Sequence, residues 1–470
     1  MTDTPRAEPQ AGTGPGRLLH LAWPLFIEHS LHVLTGAVDV FMVSHVSDSA
    51  VAALAVANQL VVWFIVAFNF IALGAMVVVT HHLGADDRAG ANRVAATAIA
   101  ACLWLGVVAS AAIALFSQPL LRLMQLPPGL MDYAGPFLAI VGAGLVFEAG
   151  SLGIGAVLRA NGHTREVMAV AVLMNVLNVI GNSIALFGWF GLPQFGVVGV
   201  AISTVVARAC AAVALWLLMT RYHRIRFGWR DLFDLPRERL GRILHIGAPA
   251  AGENLSWWSA FMVVTTFTAR MGEQSLAAQS YWMTVAGFMI LSSVAIGQAT
   301  EIVIGHQVGA GRFDEAYRQL LRSLRVAFAV AIGVSGVIAL AAPWIMSAFT
   351  SDPVVLGLGT LILRLSVPLE SGRTFNLVVI NALRASGDAR FPFFLGLVSM
   401  WGVWVPLAWF FGLHLGWGLL GVWAAGTCDE WCRGLLMYRR WRRRQWLKYA
   451  HRTREGVTLL KEGGAAPQGR

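Results

Sequence analysis

LRANGHTR at 158–165 recurs as LRASGDAR at 383–390, 225 positions later in a chain of 470 residues. The same offset, without a gap, lays Pro24 on Pro249, Glu28 on Glu253 and His81 on His306. It also lays Gly84 and Ala85 on Gly309 and Ala310, Arg93 on Arg318, and SDSAVAALA (47–55) on GEQSLAAQS (272–280). Toward the ends of the halves a small shift is needed, and GVVGVAIST (196–204) then resembles GLLGVWAAG (418–426). Apolar sequence drifting at random does not hold one register over so many segments. The chain is therefore read as two homologous halves.

The halves are built for a bilayer. Apolar residues make up 57% of the chain and charged residues 13%, where a soluble protein would carry about 25% charged. Helix-length apolar runs lie near 18–44, 53–82, 92–116, 131–158, 165–190 and 196–220 in the first half. In the second they lie near 241–269, 276–306, 316–349, 354–384, 390–412 and 415–438. Each suits a span of about 20 residues. Continuous apolar runs argue against an outer-membrane barrel, whose strands alternate. The fold class expected is all-α integral membrane, with twelve transmembrane helices in two homologous six-helix bundles around a central cleft. Six is even, so both bundles enter the membrane in the same direction and are related by an axis along its normal. The boundaries expected are a disordered cytoplasmic leader at 1–16 and an N-lobe at 17–220. A basic cytoplasmic linker at 221–241, a C-lobe at 242–440 and a basic cytoplasmic tail at 441–470 follow.

The formal charge of +10 raises the question of nucleic acid, and the distribution of charge answers it. With the N-terminus in the cytoplasm, 30 of the 35 Lys and Arg fall in cytoplasmic segments, eleven of them from Arg433 onward. Such a bias is the positive-inside signature. It predicts a multi-pass plasma (inner) membrane protein with both termini cytoplasmic. RRWRRRQWLKYAHRTR (439–454) then reads as an anchor on the lipid bilayer, its Arg residues drawn to anionic headgroups and Trp441 and Trp446 at the interface. No nucleic-acid partner is expected, and residues after about Gly456 are expected to be disordered. The leader lacks an apolar h-region, so the first span is expected to serve as its own insertion signal. Cys102, Cys210, Cys428 and Cys432 read as buried free thiols.

Pro24 followed fifteen residues later by Asp39, the LGAD (83–86) and VGAG (308–311) turns, and the paired LRAxGxxR turns occur in a specific order. With the fifth-span asparagines leading into Phe187-Gly188 and the GVVGVAIST entry to span six, they resemble the multidrug and toxic-compound extrusion (MATE) family over about residues 17–440. That resemblance implies secondary-active export of organic, often cationic, amphipathic compounds, driven by inward flow of H⁺ or Na⁺. It also implies small-molecule substrates, a monomer, and no cofactor beyond the coupling ion. The family's amino-terminal cation site falls on Asp39, with Asn178, Asn182 and Thr204 as companions. In many relatives an aspartate stands where this chain has Asn182, which removes one negative charge and leaves H⁺ and Na⁺ both open.

The residues themselves support part of that assignment. A charge at mid-membrane costs about 2.5–3.5 kcal/mol on insertion scales and is seldom placed there without use. Asp39 is a lone carboxylate able to carry a proton or ligate a cation, and Asn178 and Asn182, four apart, present both amides on one helical face. Carbonyl and hydroxyl oxygens about one carboxylate suit Na⁺, and no other metal site is expected. Asp39 faces Val264 in the repeat and has no twin. Glu28 does have one, Glu253, and the pair either holds a cationic substrate in the cleft or bonds backbone freed by Pro24 and Pro249. Glu148 and Arg373 are repeat equivalents of opposite charge, with Glu370 one turn before Arg373. They form a structural ion pair within span ten or across the lobes, or a gate, and Glu301 admits the same two roles. His29, His32, His81, His82 and His306 suit either proton traffic or interfacial placement.

No P-loop, HExxH or GxSxG pattern is present, so neither enzymatic chemistry nor ATP-driven transport by this chain alone is expected. The competing readings are a lipid-linked oligosaccharide flippase of the same superfamily, a major-facilitator-type carrier, and a non-transport intramembrane enzyme or receptor. The intramembrane carboxylates outnumber the arginines, which favours cationic cargo over a pyrophosphate.

Overall fold

The computed structural model describes residues 15–189, 193–222 and 227–463, and its described residues are helical with short turns between. In the first half the helices are α1 (Pro15–Ser44), α2 (Asp48–Gly84), α3 (Arg88–Leu123), α4 (Pro128–Ala143), α5 (Leu145–Ala160), α6 (Thr164–Phe187) and α7 (Gly196–Leu217). The second half holds α8 (Arg237–Arg270), α9 (Glu273–Gly309), α10 (Phe313–Phe349), α11 (Pro353–Ala385), α12 (Arg390–Ser399), α13 (Val405–Trp409) and α14 (Leu419–Arg442), followed by α15 (Leu447–Gly463).

Nine of these segments are long and apolar enough to cross a membrane, counting Arg390–His414 as one, and the pair α4–α5 makes a tenth, bent by 43°. Helices α8 and α14 supply the seventh and twelfth spans. Polar residues interrupt both, Glu253 and Asn254 in α8 and Asp429, Glu430 and Arg433 in α14. The bend of the fourth span falls at Gly144, where a Cβ would press into the Val205 side chain. The eleventh span passes through wide π turns at Met400–Trp404 and Phe410–His414. Pro406 lies between them and cannot donate to the carbonyl one turn back.

The repeated turns have a backbone reason. Gly162 of LRANGHTR has φ 89° and Gly387 of LRASGDAR has φ 87°, a left-handed conformation that glycine adopts without steric cost. The turns after α2 and α9 match too, with Asp86 at φ 54° and its repeat equivalent Gly311 at φ 73°. Helix starts are capped by side chains. Ser47 accepts from Ala50 N, Asp87 from Gly90 N, and Asp352 from Val354 N and Val355 N. Those two bonds hold the exposed Asp352 carboxyl below its ordinary range.

Two units divide the chain, and each crosses the midpoint of the sequence. One comprises the chain up to Phe26 with Ser256–Thr453, and the other Ile27–Leu255 with the chain from Arg454. The core of the first gathers Val264, Trp282, Met346, Ile362, Trp404 and Trp423. The core of the second gathers Val61, Phe68, Ile113, Leu138, Leu145 and Val200. Within the second, α2 crosses α8 at two glycines. A Cβ on Gly74 would run into the Ile243 carbonyl, and one on Gly247 into the Phe70 carbonyl. Small residues let membrane helices approach to backbone contact. Gly74→Val is therefore expected to force this crossing apart and cost about 1–3 kcal/mol, as overpacking does. Thermal unfolding in detergent measures it, and an unchanged midpoint would mean the two backbones do not touch there.

Three expectations need correction. The tail does not lose structure after Gly456, since α15 continues to Gly463. Trp441 and Trp446 are not interfacial. Both are 0% exposed and stack face to face at 4.2 Å and 7°, because Arg444 takes φ 56° and folds the chain back. Of the cysteines, all free, only Cys102 is buried. The expected leader lies outside the described residues up to residue 14, as do residues 223–226 of the expected linker; Pro15 and Gly16 already belong to α1.

Candidate functional site

The residues singled out around Asp39 come together within the second unit. Asn182 Nδ2 on α6 donates to Asp39 Oδ1 on α1 at 2.7 Å. It also lies 3.2 Å from Asn178 Oδ1, while Asn178 Nδ2 donates to Thr204 Oγ1 on α7 at 3.2 Å. Thr204 completes the chain by donating to the Val200 carbonyl at 2.9 Å. Asn178 and Asn182 are 3% and 0% exposed, whereas Asp39 is half-buried. One end of the network is thus anchored in the bundle and the other stays accessible. The Asn182 carbonyl oxygen is buried with no hydrogen-bond partner among the described residues. A buried acceptor left unmatched costs about 1–3 kcal/mol. It offers an oxygen to a cation beside the carboxylate, as Na⁺ requires of its ligands, so the donor set fits either Na⁺ or a proton held on Asp39.

Sequence reasoning missed a second rung. Thr35 hydrogen-bonds Asn175, one turn before Asp39 on α1 and one turn before Asn178 on α6. The stripe Asn175, Asn178, Asn182 and the pair Thr35, Asp39 carried that signal at helical spacing. Both rungs join α1 to α6.

The glutamates take other positions. Glu28 Oε1 accepts from Arg159 Nη1 at 2.7 Å, with both side chains largely buried. Arg159 belongs to LRANGHTR, so the first-half turn is tied to α1 by charge. Glu253 is buried on α8. Glu148 lies 3.4 Å from Arg208 Nε, and Arg373 Nη1 donates to Glu370 Oε1 at 2.7 Å within α11. The ion pair expected of Arg373 is therefore made within span ten, and Glu148 has Arg208 instead. Glu301 is fully buried on α9, and neither carboxylate oxygen has a hydrogen-bond partner among the described residues. His82 Nδ1 sits 2.8 Å from Asp87 Oδ2, at the start of α3. No group of three His, Cys, Asp or Glu among the described residues could hold a metal ion.

The largest omission lies in the first unit. Arg433, counted above with the cytoplasmic tail, is 2% exposed within α14 and holds Asp429 at 3.1 Å and Glu430 at 2.9 Å. Asn376 Nδ2 donates to Glu430 at 2.8 Å, Ser399 donates to Asp429, and Arg373 Nε lies 3.6 Å from Glu430. The signal was Asp429, Glu430 and Arg433 within one turn of an apolar span. Outside the spans, burial lifts the Asp388 carboxyl above its ordinary range against the opposing pull of Arg440, whose Nε donates to it at 2.6 Å.

Helical spans in two repeats, with charged and amide networks inside the bundles, define a multi-pass membrane protein. The chain belongs to the MatE family, whose pattern matches it twice, over residues 24–184 and 249–410. The two matches begin 225 residues apart, the offset of the internal repeat. Among curated relatives, the uncharacterized transporter YisQ of Bacillus subtilis is 39% identical over 431 residues, covering 92% of this chain and 95% of its own. The probable multidrug resistance protein NorM of Thermotoga maritima is 25% identical, covering 94% of this chain and 95% of its own. A crystal structure of a MATE protein in the bent conformation superposes with a TM-score of 0.85 at 21% identity, over 95% of this chain and 98% of that one. An outward-facing MATE multidrug transporter of the MOP superfamily gives 0.83 at 22%, over 91% and 95%. The chain is thus a multi-pass membrane transporter of this family, and not an enzyme.

Proposed function

We propose that this protein is an ion-coupled exporter of organic, cationic amphipathic compounds, in which H⁺ or Na⁺ at Asp39 and organic cargo favour opposite orientations of two lobes. The observation that carries the reading is the Asp39–Asn182–Asn178–Thr204 network, a carboxylate joined to buried amides that include an unmatched oxygen. Ion and cargo each shift the equilibrium only by their differential affinity for the two states. Alternating access then links the inward fall of the ion to the outward movement of cargo between the lobes.

The relatives bearing the multidrug resistance name support export, and the balance of carboxylates over arginines inside the spans supports cationic cargo. The weight of Lys and Arg on one side supports the plasma (inner) membrane with cytoplasmic termini. A single chain carrying both repeats needs no second copy to complete two lobes, which supports a monomer. The test is efflux of a fluorescent organic cation in everted membrane vesicles, with a pH or a Na⁺ gradient imposed in turn. Efflux that responds to one gradient is expected. Dye movement indifferent to both would sink the proposal.

A further inference from the structure

We propose that α8, α9, α11, α14 and the eleventh span hold a second site of their own, for small ammonium compounds that carry a carbonyl or ether oxygen. It rests on the reading of this chain as an exporter of organic cations, and it lies wholly within Ser256–Thr453, apart from Asp39. There the side chains line a pocket that is open on one side.

One wall is aromatic. Trp257 stacks on Phe261 at 5.3 Å and on Trp404 at 6.2 Å. Trp282 and Trp423 meet edge to face at 4.8 Å. Ring faces attract a cation through their quadrupoles, and cages of this composition recognise quaternary ammonium groups. Arg373 already uses the same chemistry, with its guanidinium 5.9 Å from the Trp282 ring centre.

Arg373, Asp429 and Glu430 also line the pocket. Asp429, Glu430 and Glu370 set three carboxylates against the two guanidiniums of Arg373 and Arg433. Glu430 Oε2 is held by Asn376 and Arg433. Its Oε1 is met by Arg373 Nε at 3.6 Å, beyond hydrogen-bond length, so this oxygen has capacity for an incoming cation.

An independent feature points to a ligand with an acceptor. Trp404 and Trp423 are 9% and 5% exposed, and their indole N–H groups have no hydrogen-bond partner among the described residues. Trp282, in the same pocket, gives its N–H to Ser366 at 2.6 Å. Gly426 leaves open the space beside Trp404 Nε1, where a Cβ would stand 3.4 Å away. Buried Trp N–H groups ordinarily find a partner, and here the pocket is where one would come from. A ligand oxygen satisfies these donors while its ammonium group lies over the rings, beside Glu430.

Calorimetric titration of the purified full-length protein in nanodiscs tests this, with acetylcholine as the probe and its uncharged isostere 3,3-dimethylbutyl acetate beside it. Acetylcholine is expected to bind, and the isostere to bind about tenfold more weakly or worse, the scale of a desolvated cation–π contact. Glu430→Gln is expected to weaken acetylcholine by a similar factor, and Trp404→Phe with Trp423→Phe to weaken it while leaving tetramethylammonium, which has no oxygen, nearly unchanged. Size-exclusion profiles and thermal midpoints show which variants are folded, and the isostere comparison on the wild type needs no variant. Absence of acetylcholine binding, or equal binding of the isostere, overturns the site. If the wild type exports organic cations in vesicles while the pocket variants bind like wild type, this site fails and the proposed export stands. If no organic cation is exported under any gradient, the export proposal fails whatever the pocket binds.

Discussion

Asp39→Asn is expected to give a folded, inserted protein whose efflux no longer responds to an ion gradient. The substitution is nearly isosteric, and an amide oxygen in place of Oδ1 still accepts from Asn182 Nδ2, now at 2.7 Å. The network from Asn182 to Thr204 therefore keeps its geometry. What disappears is the negative charge, and with it the group able to take up a proton or balance Na⁺ beside the Asn182 carbonyl. An ion with equal affinity for both orientations shifts nothing, however steep its gradient. The gradient-dependent component of efflux should thus fall to background, a loss of about tenfold or more, since each tenfold of differential affinity amounts to about 1.4 kcal/mol. Thermal stability in detergent should stay close to wild type, which separates loss of coupling from loss of fold. Wild-type-like coupled efflux in this variant would remove Asp39 from the mechanism.

Most of the fold was legible because hydrophobic length and the repeat are one-dimensional signals. The runs read at 53–82 and 354–384 became Asp48–Gly84 and Pro353–Ala385, the first longer by the turn that the Ser47 cap starts and the second by one residue at each end. The repeat located the turns, and the positive φ of Gly162 and Gly387 explains why both keep glycine. The Asp39 network was legible through spacing and resemblance together. What stayed hidden depended on tertiary partners. Arg433 counts as a tail charge until α14 is seen to bury it between Asp429 and Glu430. Trp441 and Trp446 look interfacial until the Arg444 turn stacks them. Glu148 has Arg208 for a partner because α7 packs against α5, a contact that no periodicity announces.

Glu28 puts that distinction to the test. In sequence it stood between a substrate role and a scaffold role, and its contact with Arg159 favours the scaffold. The two side chains are 11% and 13% exposed, so neither charge is well served by solvent. The second oxygen of Glu28 is buried without a hydrogen-bond partner among the described residues, so the single contact to Arg159 carries the compensation. Removing one member of a buried pair costs about 3–5 kcal/mol, because the other charge is left uncompensated. Glu28→Gln and Arg159→Gln should each lower the thermal midpoint in detergent by an amount of that order. The exchanged pair Glu28→Arg with Arg159→Glu should recover much of the loss, since opposite charges again face each other between α1 and the end of α5. The coupling energy from such a cycle isolates the pair from the effects of either substitution alone. A substrate role predicts the reverse pattern. Glu28→Gln would then leave stability intact and weaken cargo binding, and the exchanged pair, with an arginine facing the cargo, would bind it worst of all.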